Sequence, residues 1–227
     1  MEIIDKIPLH INPQKVARAL HLEKKKDQLE GMINRLLDEV EKVVNPKALY
    51  RVSYIEDKTD HTVKIEGITF SSRVLRVNLE NAERVFPYII TAGKELDSIA
   101  IPGQDFMKNF CLDAIKEMVL EEASSYLEKY LKDKYVPGTL SHMSPGSLND
   151  WPVTQQKQVF SLFGDVQKLI GVRLTESFIM DPIKSVSGIY FPTQFDFKSC
   201  MLCTKERCPK RKAKYNPDMA AKYQLST

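Results

Sequence analysis

The 227-residue sequence has little cysteine, little glycine and no long apolar run, and each shortage excludes a class of protein. The sequence has only nine glycines and 12 prolines, which excludes collagen-like and long low-complexity chains. No stretch of about 18 or more uncharged apolar residues is present, so we expect no membrane-spanning segment. The opening residues, MEIIDKIPLHINPQKVARAL, lack the basic and apolar regions of a signal peptide. We therefore expect a cytoplasmic protein.

An excess of charge of one sign is also missing, because 33 basic and 30 acidic residues leave a net charge of +3. Most charges alternate in sign along helical faces, as in EKKKDQLEG and LDEVEKVV, which is typical of a solvated surface. The exception is the basic run KERCPKRKAKY near the C-terminus. A nucleic-acid interface is usually broader and interleaved with aromatic residues. The sequence therefore does not favour a nucleic-acid partner.

The sequence is 43% hydrophobic, which is enough to build a buried core without disulfides. Hydrophobic periodicity and capping residues predict an α+β fold, with an antiparallel or mixed sheet and a long helix packed on it. The predicted elements up to the long helix are a helix capped by Asn12, a helix over 24–44, strands over 48–57 and 61–70, a helix capped by Ser71 or Ser72, a buried strand over 84–93 and a helix over 105–134.

The longest irregular stretch, over 135–154, contains three prolines, two glycines and the single tryptophan. Such a segment between well-patterned elements is typical of a functional loop. After it we predict a helix capped by Thr154, then strands over 175–180 and 185–191. The expected division of the chain is a helical segment (1–45), an α+β core (46–199) and a basic, cysteine-containing tail (200–227).

Three of the four cysteines lie close together, with Cys200, Cys203 and Cys208 in the pattern C-x₂-C-x₄-C. Three interpretations compete: inert thiols, a disulfide framework and metal ligands. A reducing cytoplasm argues against disulfides. The clustering favours a single metal centre, either an iron–sulfur cluster or zinc, whose thiolates the neighbouring basic residues would stabilise. The candidates for a fourth ligand are Cys111, His142 and a small molecule, and a centre with no fourth ligand is the remaining alternative. Cys111 lies in the long predicted helix, where a small buried hydrophobic role is expected.

Two segments, MSPGSLNDWP (143–152) and IGVRLTESFIMDPIKSVSGIYF (170–191), resemble the activation domain of cobalamin-dependent methionine synthase. The upstream runs TAGKELD and LDAIKEMVLEEASSYLEKYL also look like the strand and the long helix that precede these segments in the family. The residues matching the family runs G-x-x-L-T-E-S and S-V-S-G-x-Y-F are Gly171, Leu174, Thr175, Glu176, Ser177, Ser185, Val186, Ser187, Gly188, Tyr190 and Phe191.

In that family the domain binds S-adenosylmethionine and docks on the cobalamin domain, so that an oxidised cobalamin is reduced and remethylated. The resemblance implies cofactor-binding residues at Glu121, His142, Ser144, Pro145, Gly146 and Tyr190. It also implies that the loop Ser144–Gly146 and the strand ending at Phe191 flank one cleft. Two residues depart from the family loop, because His142 stands where the family has arginine and Ser147 where it has tyrosine. These departures predict weak or absent binding of S-adenosylmethionine.

The sequence contains no cobalamin-binding or methyltransferase segment. The resemblance therefore implies a stand-alone module that acts on a separate cobalamin-binding protein, or on a methionine synthase lacking its own activation domain. Two alternatives follow from the cysteines. The first is an iron–sulfur redox protein that reduces the corrinoid without S-adenosylmethionine. The second is a non-catalytic partner of the corrinoid protein, stabilised by zinc.

Overall fold

The computed structural model describes residues 1–21, 26–101, 103, 105–208 and 210–223. The helices are α1 (Pro13–Ala19), α2 (Lys26–Val43), α3 (Arg73–Asn78), α4 (Phe106–Tyr135), α5 (Gln156–Ser161), α6 (Val166–Ile170) and α7 (Pro217–Lys222). The strands are β1 (Glu2–Ile4), β2 (Lys47–Tyr50), β3 (Ser53–Lys58), β4 (Thr62–Ile65), β5 (Ile68–Ser71), β6 (Arg84–Thr91), β7 (Thr139–Met143), β8 (Arg173–Leu174), β9 (Met180–Asp181) and β10 (Ser185–Thr193). No helix of the described residues is long and apolar enough to cross a membrane.

Short polar side chains begin the helices as the sequence predicts. The Asn12 Oδ1 accepts a hydrogen bond from the Lys15 backbone N–H at 2.9 Å, and Ser72 Oγ accepts one from the Leu75 N–H at the same distance. Each bond satisfies a backbone donor that the first turn leaves unpaired. The prediction that Thr154 caps α5 is wrong. Thr154 lies inside a 3₁₀ turn (Val153–Gln155) that leads directly into α5, and α5 has no side-chain cap.

Strand β6 is the centre of a curled sheet whose strand pairs are antiparallel. On one side, β10 pairs with β6 from Ser185–Thr91 to Tyr190–Phe86, and β7 extends the sheet beyond β10. On the other side, β2 and β3 pair with successive parts of β6. β1 pairs with β2, while β4 and β5 extend the sheet from β3. The predicted antiparallel or mixed sheet with a long packed helix is thus confirmed as an antiparallel one.

The structure divides each of the two strands predicted over 48–57 and 61–70. The first is interrupted at Arg51 and Val52, where the chain passes from one part of β6 to the next and curls the sheet. The second is a hairpin, because Glu66 and Gly67 both have positive φ (50° and 78°) and form the tight turn between β4 and β5. The sequence pattern did not reveal this turn, since glutamate rarely occupies a left-handed position.

The segment predicted to be an irregular loop over 135–154 contains strand β7, whose Leu140 and Met143 are buried. The strand predicted over 175–180 is mainly a turn, in which the Thr175 N–H donates to the Ile179 carbonyl at 2.9 Å. Only its last residue, Met180, belongs to β9, which pairs with β8. Both corrections have the same cause, because the hydrogen-bonding partner of each segment is not apparent from its own residues.

The core lies on both faces of the sheet, and α4 joins two of its parts. One face is covered by α3, α5 and α6, with Trp151 fully buried among them. The opposite face packs on the C-terminal half of α4 through Ala123, Leu127 and Leu131. The N-terminal half of α4 packs on α1 and α2. Cys111 is fully buried in this last cluster, which confirms its expected role as a small core residue.

Candidate functional site

A cleft of about 590 Å³ lies where the sheet meets the middle of α4. Its lining includes the predicted residues Glu121, His142 and Tyr190, so the structure brings three of the six predicted cofactor-binding residues together. The other lining residues are Tyr88, Glu117, Leu120, Ser124, Ser125, Glu128, Val186, Lys210, Arg211 and Lys212. The volume falls within the range of cofactor-sized pockets.

Aromatic rings from three adjacent strands form the floor of the cleft. Strand register places Tyr190 of β10 directly opposite His142 of β7, and Gly188 opposite Tyr88 of β6. The Tyr88 and Tyr190 ring centroids are 4.4 Å apart, and those of Tyr190 and His142 are 5.3 Å apart in an edge-on arrangement. Burial raises the pKa of Tyr88 to about 12 and that of Tyr190 well above its usual value. Both hydroxyls are therefore neutral at physiological pH.

The α4 wall of the cleft is acidic. Glu117, Glu121 and Glu128 lie on one face of the helix, with spacings of four and seven residues. Glu117 pairs with Lys184 at 3.1 Å and with Lys210. Burial alone would raise the pKa of Glu117, but hydrogen bonds from Lys210 and Lys184 outweigh burial and lower it. Glu121 is exposed at the mouth of the cleft.

The opposite wall is basic and comes from the cysteine-containing basic segment, residues 200–208 and 210–213. This segment folds around the guanidinium group of Arg211, which donates hydrogen bonds to the carbonyl oxygens of Cys200 (3.1 Å), Cys203 (3.2 Å), Ala213 (3.2 Å) and Lys205. The ion pair of Lys210 with Glu117 attaches the segment to α4. Sequence reasoning assigned these cations to the cysteines and missed their place in the cleft.

His142 is held as a neutral imidazole. Burial lowers its pKa from the usual value, and the positive charge of Lys212 lowers it further. A neutral ring can donate one hydrogen bond and accept another, but it does not supply the charge of an arginine. His142 therefore contributes shape and hydrogen bonding to the cleft floor.

The Pro-Gly loop supports the cleft more than it lines it. Ser144 reaches the floor, with its Oγ 3.3 Å from the Tyr88 hydroxyl oxygen. Gly146 has a φ of 84°, and its N–H donates to the Trp151 carbonyl at 2.7 Å, which folds the loop back on itself. Pro145 and Gly146 are not part of the cleft lining. Of the predicted Ser144–Gly146 loop, only Ser144 contacts a residue of the lining, Tyr88, and none of the three loop residues is itself part of the lining.

The arrangement of the cysteines does not support the expected metal centre. Within the described parts of the chain, no group of three or more His, Cys, Asp or Glu side chains is placed to hold a metal ion. Cys203 packs against the apolar core, and the Cys200 sulfur accepts a 3.4 Å hydrogen bond from the Lys212 N–H. Cys208 is partly exposed. These surroundings do not support the expected iron–sulfur cluster or zinc at Cys200, Cys203 and Cys208.

A second groove of similar volume, about 610 Å³, lies between the N-terminal segment and α2. Its lining is mainly aliphatic, with Ile7, Leu9, Leu37 and Val40 among its members. It contains none of the predicted site residues and no aromatic ring. The cleft on α4 is therefore the better candidate for a ligand with polar groups.

The antiparallel sheet curled against a long helix has the fold of a methionine synthase reactivation domain. The structure matches a crystal structure described as the MetH reactivation domain bound to AdoHcy, with a TM-score of 0.64 and 18% sequence identity. The match covers 84% of this chain and 72% of that chain. The sequence itself matches the family model of the vitamin B12 dependent methionine synthase activation domain over residues 143–207. The resemblance noted in the sequence is thereby confirmed. A comparison with curated proteins gives no match.

The cleft fits a ligand that combines a flat ring with groups of both charges. Tyr88 and Tyr190 form a buried aromatic floor, each with 2% of its surface exposed, and the partly exposed ring of His142 adds surface against which a heteroaromatic base can pack. The carboxylate of Glu121 can accept hydrogen bonds from hydroxyl or ammonium groups, and Lys212 can pair with an anion.

Proposed function

We propose that the protein is an activation module that binds S-adenosylmethionine, or its product S-adenosylhomocysteine, in the cleft on α4. Bound to this ligand, it supports the reductive reactivation of a cobalamin protein. The observation that carries the proposal is the family match over residues 143–207, because that range contains β10 with Val186 and Tyr190 of the cleft lining. The cleft-lining cations Lys210, Arg211 and Lys212 lie just beyond the matched range. The related reactivation domain with the same fold is described as bound to AdoHcy.

The ligand part of the proposal is tested by titration calorimetry of the full chain with S-adenosylhomocysteine. We expect saturable binding that Glu121→Gln weakens by about three- to ten-fold, since the variant loses a charged acceptor at the cleft. The matched control is Glu122→Gln on the same helix, because Glu122 pairs with Lys15 at 2.8 Å and is not part of the cleft lining. No binding by the wild-type chain would refute the proposal.

The partner part is tested with a separately prepared cobalamin-binding module that holds oxidised cobalamin. The reaction contains a chemical one-electron reductant and S-adenosylmethionine. We expect that adding the chain to this mixture accelerates the spectral change from oxidised to methylated cobalamin. The Glu121→Gln variant should be slower at subsaturating S-adenosylmethionine, while Glu122→Gln should match the wild type. An unchanged rate in the presence of the wild-type chain would contradict a role in reactivation.

A further inference from the structure

We infer that Lys212 supplies the cation that binds the carboxylate of the amino-acid part of an S-adenosyl ligand. This assignment rests on the proposed function and names a binding residue outside the Pro-Gly loop. It follows from how the three cations of the basic wall are used.

Two of these three cations are already committed to contacts within the protein. Lys210 forms an ion pair with Glu117 on α4. Arg211 donates to the backbone carbonyls of its own segment and holds Cys200 and Cys203 around it. Lys212 is exposed, and no carboxylate in the described portion of the chain lies within ion-pair distance of its ammonium group. Its charge is therefore available to a ligand.

The backbone of Lys212 is fixed, although its side chain is exposed. Its N–H donates to the Cys200 sulfur at 3.4 Å, and the preceding Arg211 is bound to three carbonyl oxygens at 3.1–3.2 Å. The ion pair of Lys210 then ties the same stretch to α4. A cation on a fixed backbone loses less conformational entropy on binding than one on a free tail.

Lys212 and the acidic face of α4 line the same cleft. Lys212 lines the same cleft as His142 and the aromatic floor, and its positive charge adds to the burial that lowers the pKa of His142. His142 has a partly buried, neutral ring and does not provide a positive charge. The exposed Glu121 on the facing helix is of opposite sign to Lys212. The two walls thus suit a zwitterion, with the ammonium group toward α4 and the carboxylate toward Lys212.

Calorimetry with two ligands tests the assignment. S-adenosylhomocysteine carries the amino-acid group, and 5′-methylthioadenosine lacks it. We expect Lys212→Ala to weaken binding of S-adenosylhomocysteine about ten-fold while binding of methylthioadenosine is unchanged. Lys212→Arg should restore most of the affinity. Lys214→Ala is the matched control, because Lys214 is an exposed lysine two residues away that is not part of the cleft lining.

The outcomes separate this assignment from the proposed function. If the wild type binds S-adenosylhomocysteine and Lys212→Ala binds it equally well, the assignment to Lys212 is wrong and the proposed function stands. Equal weakening for both ligands also overturns the assignment, since the lysine would then not act through the carboxylate. If the wild type binds neither ligand, both the proposed function and the assignment fail. Thermal unfolding of Lys212→Ala within about 2 °C of the wild type would show that the fold is intact.

Discussion

Gly188 is the position where a single methyl group should damage the cleft most. It lies in β10 beside the Pro-Gly loop and opposite Tyr88. An added Cβ would lie 2.3 Å from the Met143 carbonyl oxygen, 2.8 Å from Ser144 Oγ and 2.9 Å from the Tyr88 hydroxyl oxygen. The first contact is about 1 Å shorter than the closest ordinary carbon–oxygen approach. Relief requires β7 or the start of the loop to move, because Met143 contributes a backbone atom.

We expect Gly188→Ala to reduce the free energy of unfolding by about 1–3 kcal/mol, the usual range for overpacking. For a chain of this size each kcal/mol lowers the melting temperature by about 2–4 °C, so the expected loss is about 2–12 °C. Binding of S-adenosylhomocysteine should also weaken, since His142 precedes the displaced Met143. Thermal unfolding and calorimetry measure both effects.

Gly138→Ala is the matched control, because a Cβ at Gly138 meets nothing within 4 Å. It should change the free energy of unfolding by less than about 0.5 kcal/mol. If Gly188→Ala has the stability and the ligand affinity of the wild type, the close packing of β10 against the loop is refuted.

Three further predictions concern the helices, the cleft histidine and the thiols. Gly31→Ala should raise the free energy of unfolding by about 0.5–1 kcal/mol in urea denaturation, because Gly31 is exposed within α2 with open space around it; a loss of stability would contradict this. Because the pKa of His142 is lowered in the folded state, the unfolded chain binds more protons than the folded chain below about pH 6.5. The free energy of unfolding of the wild type should therefore fall relative to that of His142→Gln as the pH is lowered from 7.5 to 5.5. The same difference in free energy of unfolding at both pH values would contradict the burial of the ring. Cys111 should react with a thiol reagent only on unfolding, whereas the partly exposed Cys200, Cys203 and Cys208 should react in the native protein; rapid native labelling of all four cysteines would show that α4 is not packed as described.

Features decided by neighbouring residues could be predicted from the sequence. The caps Asn12 and Ser72 act on backbone donors three residues away, and α4 has a pattern long enough to identify. The family motif located Tyr190 and His142, and the strand register places them opposite each other.

Features decided by distant partners could not be predicted in the same way. Strand β7 depends on pairing with β10, which follows it by more than forty residues. The use of the basic segment as a cleft wall depends on the ion pair of Lys210 with Glu117, 93 residues apart in sequence. The spacing of the cysteines suggested a metal centre, but spacing alone does not specify the direction of side chains, and Cys203 turns toward the core.

The central claim is that one cleft, built from α4, the sheet and the basic segment, binds an S-adenosyl ligand. A crystal structure of the chain with S-adenosylhomocysteine tests it most directly. We predict the adenine ring against the floor formed by Tyr88, His142 and Tyr190, and the ligand carboxylate within hydrogen-bond distance of the Lys212 Nζ. Ligand density in the aliphatic groove between the N-terminal segment and α2, with the cleft on α4 empty, would contradict the claim.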